Sequence, residues 1–109
     1  MANQYLYRLM PIRLGILTEG PTEHEAAIVG DHFAYLEQLT SQGRVLMAGR
    51  TLTTDENTFG IVVLVADSDS AATELMRADP AVSRGVMTAE LFPFHVALWS
   101  TKGSPHSNG

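Results

Sequence analysis

The chain has no cysteine. That excludes disulfides, thiolate metal sites, iron–sulfur clusters and a cysteine nucleophile. Charge is also scarce: Asp, Glu, Lys and Arg make up 17% of the 109 residues, against about 25% in an ordinary soluble domain. So few charges do not coat every face of a small protein, and a second copy of the chain is the simplest cover. Basic residues are the scarcer sign, 7 against 12 acidic, giving a net charge of -5. A polyanion would be repelled, so no nucleic-acid partner is expected. Long apolar runs are missing. The longest, Ile61 to Ala66, falls well short of the roughly 20 residues a membrane span needs. The opening Met1-Ala2-Asn3-Gln4-Tyr5 has no basic stretch leading into an apolar one, so no signal peptide and no membrane partner are expected, and the expected location is the cytoplasm.

Signatures of bound groups are missing as well. There is no glycine-rich phosphate loop and no Gly-x-Ser-x-Gly elbow. His24 and His32 are two turns apart and about 80° offset round the helix they share, so they do not converge, and no His-x3-His or Glu-x-x-His pair occurs, so no metal is expected. His95 is the right residue type for a haem ligand but has no supporting motif. No cofactor is expected.

Patterning divides the chain into six main elements and one short helical turn. Tyr5, Tyr7 and Leu9 alternate with Leu6, Arg8 and Met10, which predicts a strand over 4–13. Thr22 followed by Glu25 is a Thr-x-x-Glu capping box, and Gly43 suits a left-handed stop, so a helix is expected from there to about Gln42. Its buried stripe is read as Val29, His32, Phe33, Leu36 and Leu39. A second strand over 45–52 is interrupted at Gly49. The tract 53–58 is a turn. Gly60 to Ala66 is a third strand, apolar on both faces and therefore central. A second helix runs from 69 or 70 to 78, after several possible caps in Asp67-Ser68-Asp69-Ser70. Asp79-Pro80 opens one more turn of helix, since Asp suits an N-cap and Pro the first helical position, and Gly85 can end it. The last strand is expected over 87–99, with Pro93 marking an edge or a bulge. The tail 100–109 is expected to be disordered, leaving 1–99 as one domain.

The order β-α-β-β-α-β is that of the ferredoxin-like split βαβ motif, an α+β fold. Right-handed crossovers put both helices on one face of a four-stranded antiparallel sheet. The third and fourth strands are nonetheless apolar on both faces, and an uncovered face of that kind is rare on soluble monomers. The expected assembly is a homodimer whose sheets face each other, a dimeric α+β barrel.

Two residues stand out for chemistry. His32 lies in an apolar helix stripe, where it is either a core histidine bonded to a carbonyl or a general acid/base. Asp79 is either only an N-cap or a cap that also orients an imidazole. Arg8 is a third candidate: its guanidinium pairs with a substrate carboxylate if its face of the first strand is inside. Ser83 and Arg84 follow the Asp-Pro turn and are either pocket residues or exposed ones.

Three segments, in this order, carry a resemblance. Asp31-His32-Phe33-Ala34-Tyr35-Leu36, then Gly43-Arg44-Val45-Leu46-Met47-Ala48-Gly49, then Ala78-Asp79-Pro80-Ala81-Val82 with Gly85, resemble the YCII-related family over about residues 5–99. The resemblance implies a dimeric ferredoxin-like barrel. It also implies a pocket on each subunit holding a His and an Asp, here His32 and Asp79. On this basis Arg8, Tyr35, Gly49, Arg50 and Ser83 are the expected substrate-binding residues. One class similar to this family eliminates chloride from chlorinated muconolactones. The implied activity is therefore acid/base chemistry of lyase, isomerase or hydrolase type on a small metabolite, anionic or lactone-like; the alternative is a non-catalytic small-molecule-binding or structural dimer. Arg50-Thr51 departs from the commoner pattern, where a Pro-Leu or similar pair follows the strand glycine.

Overall fold

A computed structural model describes residues 3–102. The elements are β1 (Asn3–Pro11), α1 (Gly15–Thr18), α2 (Glu23–Ser41), β2 (Val45–Arg50), β3 (Gly60–Ala66), α3 (Asp69–Ala78), α4 (Pro80–Ser83) and β4 (Met87–Pro93). The strands form one antiparallel sheet in the order β2-β3-β1-β4. This is an α+β fold. Among the described residues, no helix is long and apolar enough to cross a membrane.

Strand alternation decides which residues meet the helices. Tyr5, Tyr7 and Leu9 of β1 sit opposite Leu64, Val62 and Gly60 of β3. With Val45, they pack against Leu36 and Leu39 of α2 and Ala72 and Met76 of α3. A smaller cluster, Ile28, Ala81 and Val86, seats α4 beneath α2. The other face of the sheet presents Leu6, Arg8 and Met10 from β1, paired across to Phe92, Glu90 and Thr88 of β4. Val63 of β3 joins them, paired across to Leu6 and to Met47 of β2. No described helix covers this face.

The helix boundaries follow local chemistry. Thr22 accepts from the Glu25 amide at 3.1 Å, and the Glu25 carboxylate accepts from the Thr22 amide at 2.8 Å, so the capping box is complete. Gly43 follows the C-cap with φ +75°. Ser68 caps α3 through the Ala71 amide at 3.1 Å. Asp79 then ends α3 and caps α4.

Four expectations need correction. Phe33 is 66% exposed, while Ile28 is buried. The buried side of α2 is therefore centred on Ile28, Leu36 and Leu39, and Phe33 falls just beyond its edge. The irregularity in β2 lies between Val45 and Met47, not at Gly49. That strand ends at Arg50, where the Thr51 amide bonds to the Phe59 carbonyl and the Thr51, Thr53 and Thr58 hydroxyls link in series. The final strand stops at Pro93, and past it the regular pairing with β1 does not continue. The Phe94 amide takes the Gln4 carbonyl and the Val96 amide takes the Gln4 side chain instead. The short helix α1 was not expected: its cap position, Leu14, makes no side-chain capping bond. Beyond Lys102, the tail lies outside the described residues.

Candidate active site

Two elements deliver side chains to one carboxylate, and a third delivers a backbone amide. Asp79 stands between α3 and α4, fully buried. Its Oδ1 accepts from the Ala81 amide at 3.0 Å, which is the capping bond of α4. His32 of α2 brings its Nδ1 to the same oxygen at 2.6 Å. Tyr7 of β1 donates its hydroxyl to Oδ2 at 2.8 Å. A carboxylate already taking an N–H and an O–H is fixed as an acceptor. The imidazole therefore meets it with Nδ1–H, which leaves Nε2 as the basic nitrogen.

Asp79 keeps its place through the backbone as well as the side chain. Its carbonyl accepts from the Val82 and Ser83 amides at 2.9 and 2.8 Å, and Pro80 fixes the first position of α4. His32 is held by the length of α2, whose capping box starts the helix ten residues upstream (32 against 22). The imidazole keeps 14% exposure, so the ring is reachable from solvent while the carboxylate is not. Burial and the Asp79 charge push the Tyr7 phenol well above its ordinary value, so it stays protonated as a donor. The same two causes raise Tyr35.

The expected site residues fall into three groups. His32 and Asp79 meet. Tyr35 lies beside them, half-buried, and donates its hydroxyl to the Leu75 carbonyl at 2.6 Å, tying α2 to α3. Ser83 is on α4, exposed. Arg8 and Gly49 are not brought to the pair. A strand reverses side at every residue, so Arg8 points away from the face that carries Tyr7 and lies 3.0 Å from Glu90. Gly49 pairs with Ile61 on that same uncovered face. Arg50 is exposed at the end of β2 and bonds the neighbouring Thr51 carbonyl. Arg84 pairs with Asp31 on the surface at 2.7 Å.

Sequence reasoning missed Tyr7. Its signal was present in part: a tyrosine on the inner face of a strand must find a partner for its hydroxyl once buried, and Asp79 was a carboxylate that the resemblance already placed in a pocket with His32. Among the described residues no three His, Asp or Glu side chains group as a metal site. An open cleft of about 550 Å³ lies elsewhere, bordered by Gln4, Tyr5, Asp69, Phe94 and His95. Tyr5 donates to Asp69 there at 2.7 Å.

Fold and site together describe an α+β protein with a four-stranded antiparallel sheet and a buried carboxylate–imidazole pair on its helical side. Residues 11–95 match the YCII-related domain, and the chain belongs to that family. The fold is similar to that of 5-chloro-2-hydroxyhydroquinone dehydrochlorinase (TftG) from Burkholderia phenoliruptrix AC1100, solved with 2,5-dihydroxybenzoquinone. The TM-score is 0.62 at 19% identity, covering 84% of this chain and 93% of that one. It is also similar to an uncharacterized protein from Thermotoga maritima, with a TM-score of 0.54 at 11% identity, covering 87% and 100%. Comparison with curated proteins gives no match.

Proposed function

We propose that the protein is a small dimeric enzyme that uses His32 as a general acid/base and Asp79 as its orienting partner. The observation that carries this is the 2.6 Å contact between a reachable imidazole and a fully buried carboxylate. The resulting Nδ1–H···O bond leaves Nε2 free to take a proton. A substrate with an acidic C–H or O–H next to a carbonyl loses that proton to Nε2, and the negative charge spreads into the carbonyl. Asp79 balances the imidazolium that forms. The proton then passes to a departing group, a lyase outcome, or to a neighbouring carbon, an isomerase outcome; for a hydrolase outcome Nε2 instead takes its proton from a water that attacks the carbonyl carbon and returns it to the leaving oxygen.

Assembly belongs to the same reading. The uncovered face holds Phe92, 41% exposed, and Met47, 38% exposed. A second copy placed sheet to sheet would cover them, forming a barrel of two ferredoxin-like units. Arg8 and Gly49 would then face the enclosed space, where an anionic group could be met by the guanidinium. Tyr35 and Ser83 would border the pair within each subunit, and Arg50 the rim.

The compound named in the dehydrochlorinase of similar fold suggests the first substrates to try. Chlorinated and unchlorinated hydroxyquinols, together with small lactones, are incubated with protein in D2O and followed by NMR. Turnover or solvent exchange in the wild type, abolished in His32→Gln with the fold retained, supports the enzyme. The Ala81 capping bond favours a second reading, in which Asp79 is structural and the module only binds. Under that reading His32→Gln changes ligand affinity and no compound is converted.

A further inference from the structure

We infer that Tyr7 is the positioning residue of the pair: from the centre of the sheet it holds the second oxygen of Asp79 and so fixes the carboxylate against His32. This rests on the reading of His32 and Asp79 as the proton-transfer pair.

The geometry leaves Tyr7 few other roles. Its ring is buried in the main core and would pack equally well as phenylalanine. Only the hydroxyl reaches out of that core, and its partner is Asp79 Oδ2 at 2.8 Å, 72 positions away in sequence. The two Asp79 oxygens are held differently. Oδ1 is pinned by the Ala81 amide and takes the imidazole. One pinned oxygen still lets the carboxylate turn about that point. A second bond at Oδ2 sets its plane, and with it the direction in which Oδ1 meets the ring. The hydroxyl also draws on the charge that His32 shares. A carboxylate with an extra donor is a weaker acceptor at its other oxygen, so Tyr7 tunes the strength of the Nδ1–H···Oδ1 bond as well as its direction.

The test reads the Nδ1 proton of His32 by NMR in the full chain, with Tyr7→Phe and with 3-fluorotyrosine placed site-specifically at position 7. Loss of the hydroxyl returns charge to Oδ1, so the proton resonance moves downfield in Tyr7→Phe. A more acidic phenol withdraws charge, so it moves upfield with 3-fluorotyrosine. Opposite directions from two changes at one buried site are not produced by general loosening. An unmoved resonance, or the same direction in both proteins, overturns the inference. If Tyr7→Phe fails to fold, the fluorinated protein decides alone: an upfield shift supports the role and no upfield shift overturns it. The readout needs no substrate, so this result stands apart from whether His32→Gln abolishes conversion.

Discussion

Arg8 and Glu90 face each other across β1 and the edge strand β4 at 3.0 Å, on the sheet face that no described helix covers. The side chains are 42% and 61% exposed. Such a pair is worth at most about 1 kcal/mol in an open setting. Leu6 and Phe92 pair next to them on the same face, and Met47 stands on β2. The pair is thus a small island of charge on an apolar surface, which gives that surface a polarity pattern another surface can match.

The first prediction concerns that surface. At micromolar concentration the protein should sediment as a dimer. Phe92→Asp together with Met47→Asp should give a folded monomer with an unchanged helix signal by circular dichroism. A wild-type monomer would remove the barrel from the proposal and leave the His32–Asp79 geometry untouched.

Asp79→Ala should be among the most damaging single substitutions in the chain. It deletes the cap of α4 and strands the Tyr7 hydroxyl in the interior. A lost cap costs about 1 kcal/mol and an orphaned buried donor about 1–3 more. Asp79→Asn keeps an oxygen for the Ala81 amide and should cost visibly less. Urea unfolding of the two variants side by side measures the difference. Equal losses would mean that the cap contributes nothing.

Acid should weaken the entry to α2. Arg13 grips Glu25 with two hydrogen bonds, of 2.8 and 2.6 Å. This contact, with the Thr22 amide, holds the Glu25 carboxyl down at about 2. A depressed folded-state value means the contribution is complete above the ordinary carboxylate value of 4.5 and is lost as pH falls from there toward about 2. Carboxyl-carbon NMR should show Glu25 titrating near the lower end in the wild type. In Arg13→Gln it should move up toward the ordinary range, and part of the acid-limb stability loss should move to higher pH with it.

Two glycines end helical segments with φ +75°, Gly43 after α2 and Gly85 after α4. An added Cβ at either meets nothing within 4 Å. The cost of alanine is therefore the backbone conformation alone, about 1–2 kcal/mol at each site. Denaturant midpoints should fall by similar amounts for Gly43→Ala and Gly85→Ala, with unchanged slopes. A loss at one site several times larger than at the other would contradict this.

Legibility in the sequence followed the range over which each signal acts. Thr22 with Glu25 and Asp79 before Pro80 are contacts between near neighbours, so those helix starts could be read directly, while Asp67-Ser68-Asp69-Ser70 offered several caps and left the start of α3 at 69 or 70. Alternation along β1 separated Tyr7 from Arg8, but only packing decides which side is inside. For that reason Arg8 could be a site residue in the sequence while in the fold it lies across the sheet from the pair. The end of the last strand was misjudged: residues 94–99 keep a strand-like alternation, yet past Pro93 single bonds from Phe94 and Val96 to Gln4 replace the regular ladder. The stripe on α2 was off by about one position, enough to bury Phe33 on paper and leave Ile28 out. His32 and Asp79 were each visible as polar residues in structured settings. Their meeting across 47 positions, and the arrival of Tyr7 from β1, are consequences of topology that no local spacing encodes.

One carboxylate starts α4 and also holds the imidazole. The two partners therefore stand in different evolutionary positions. On the proposed reading, a lineage that gave up proton transfer could shed His32 at little structural cost, whereas Asp79 would persist because the turn after α3 still has to be built. Descendants without activity should be recognisable by an aspartate that outlives its histidine, and regaining the pair would then take a single codon.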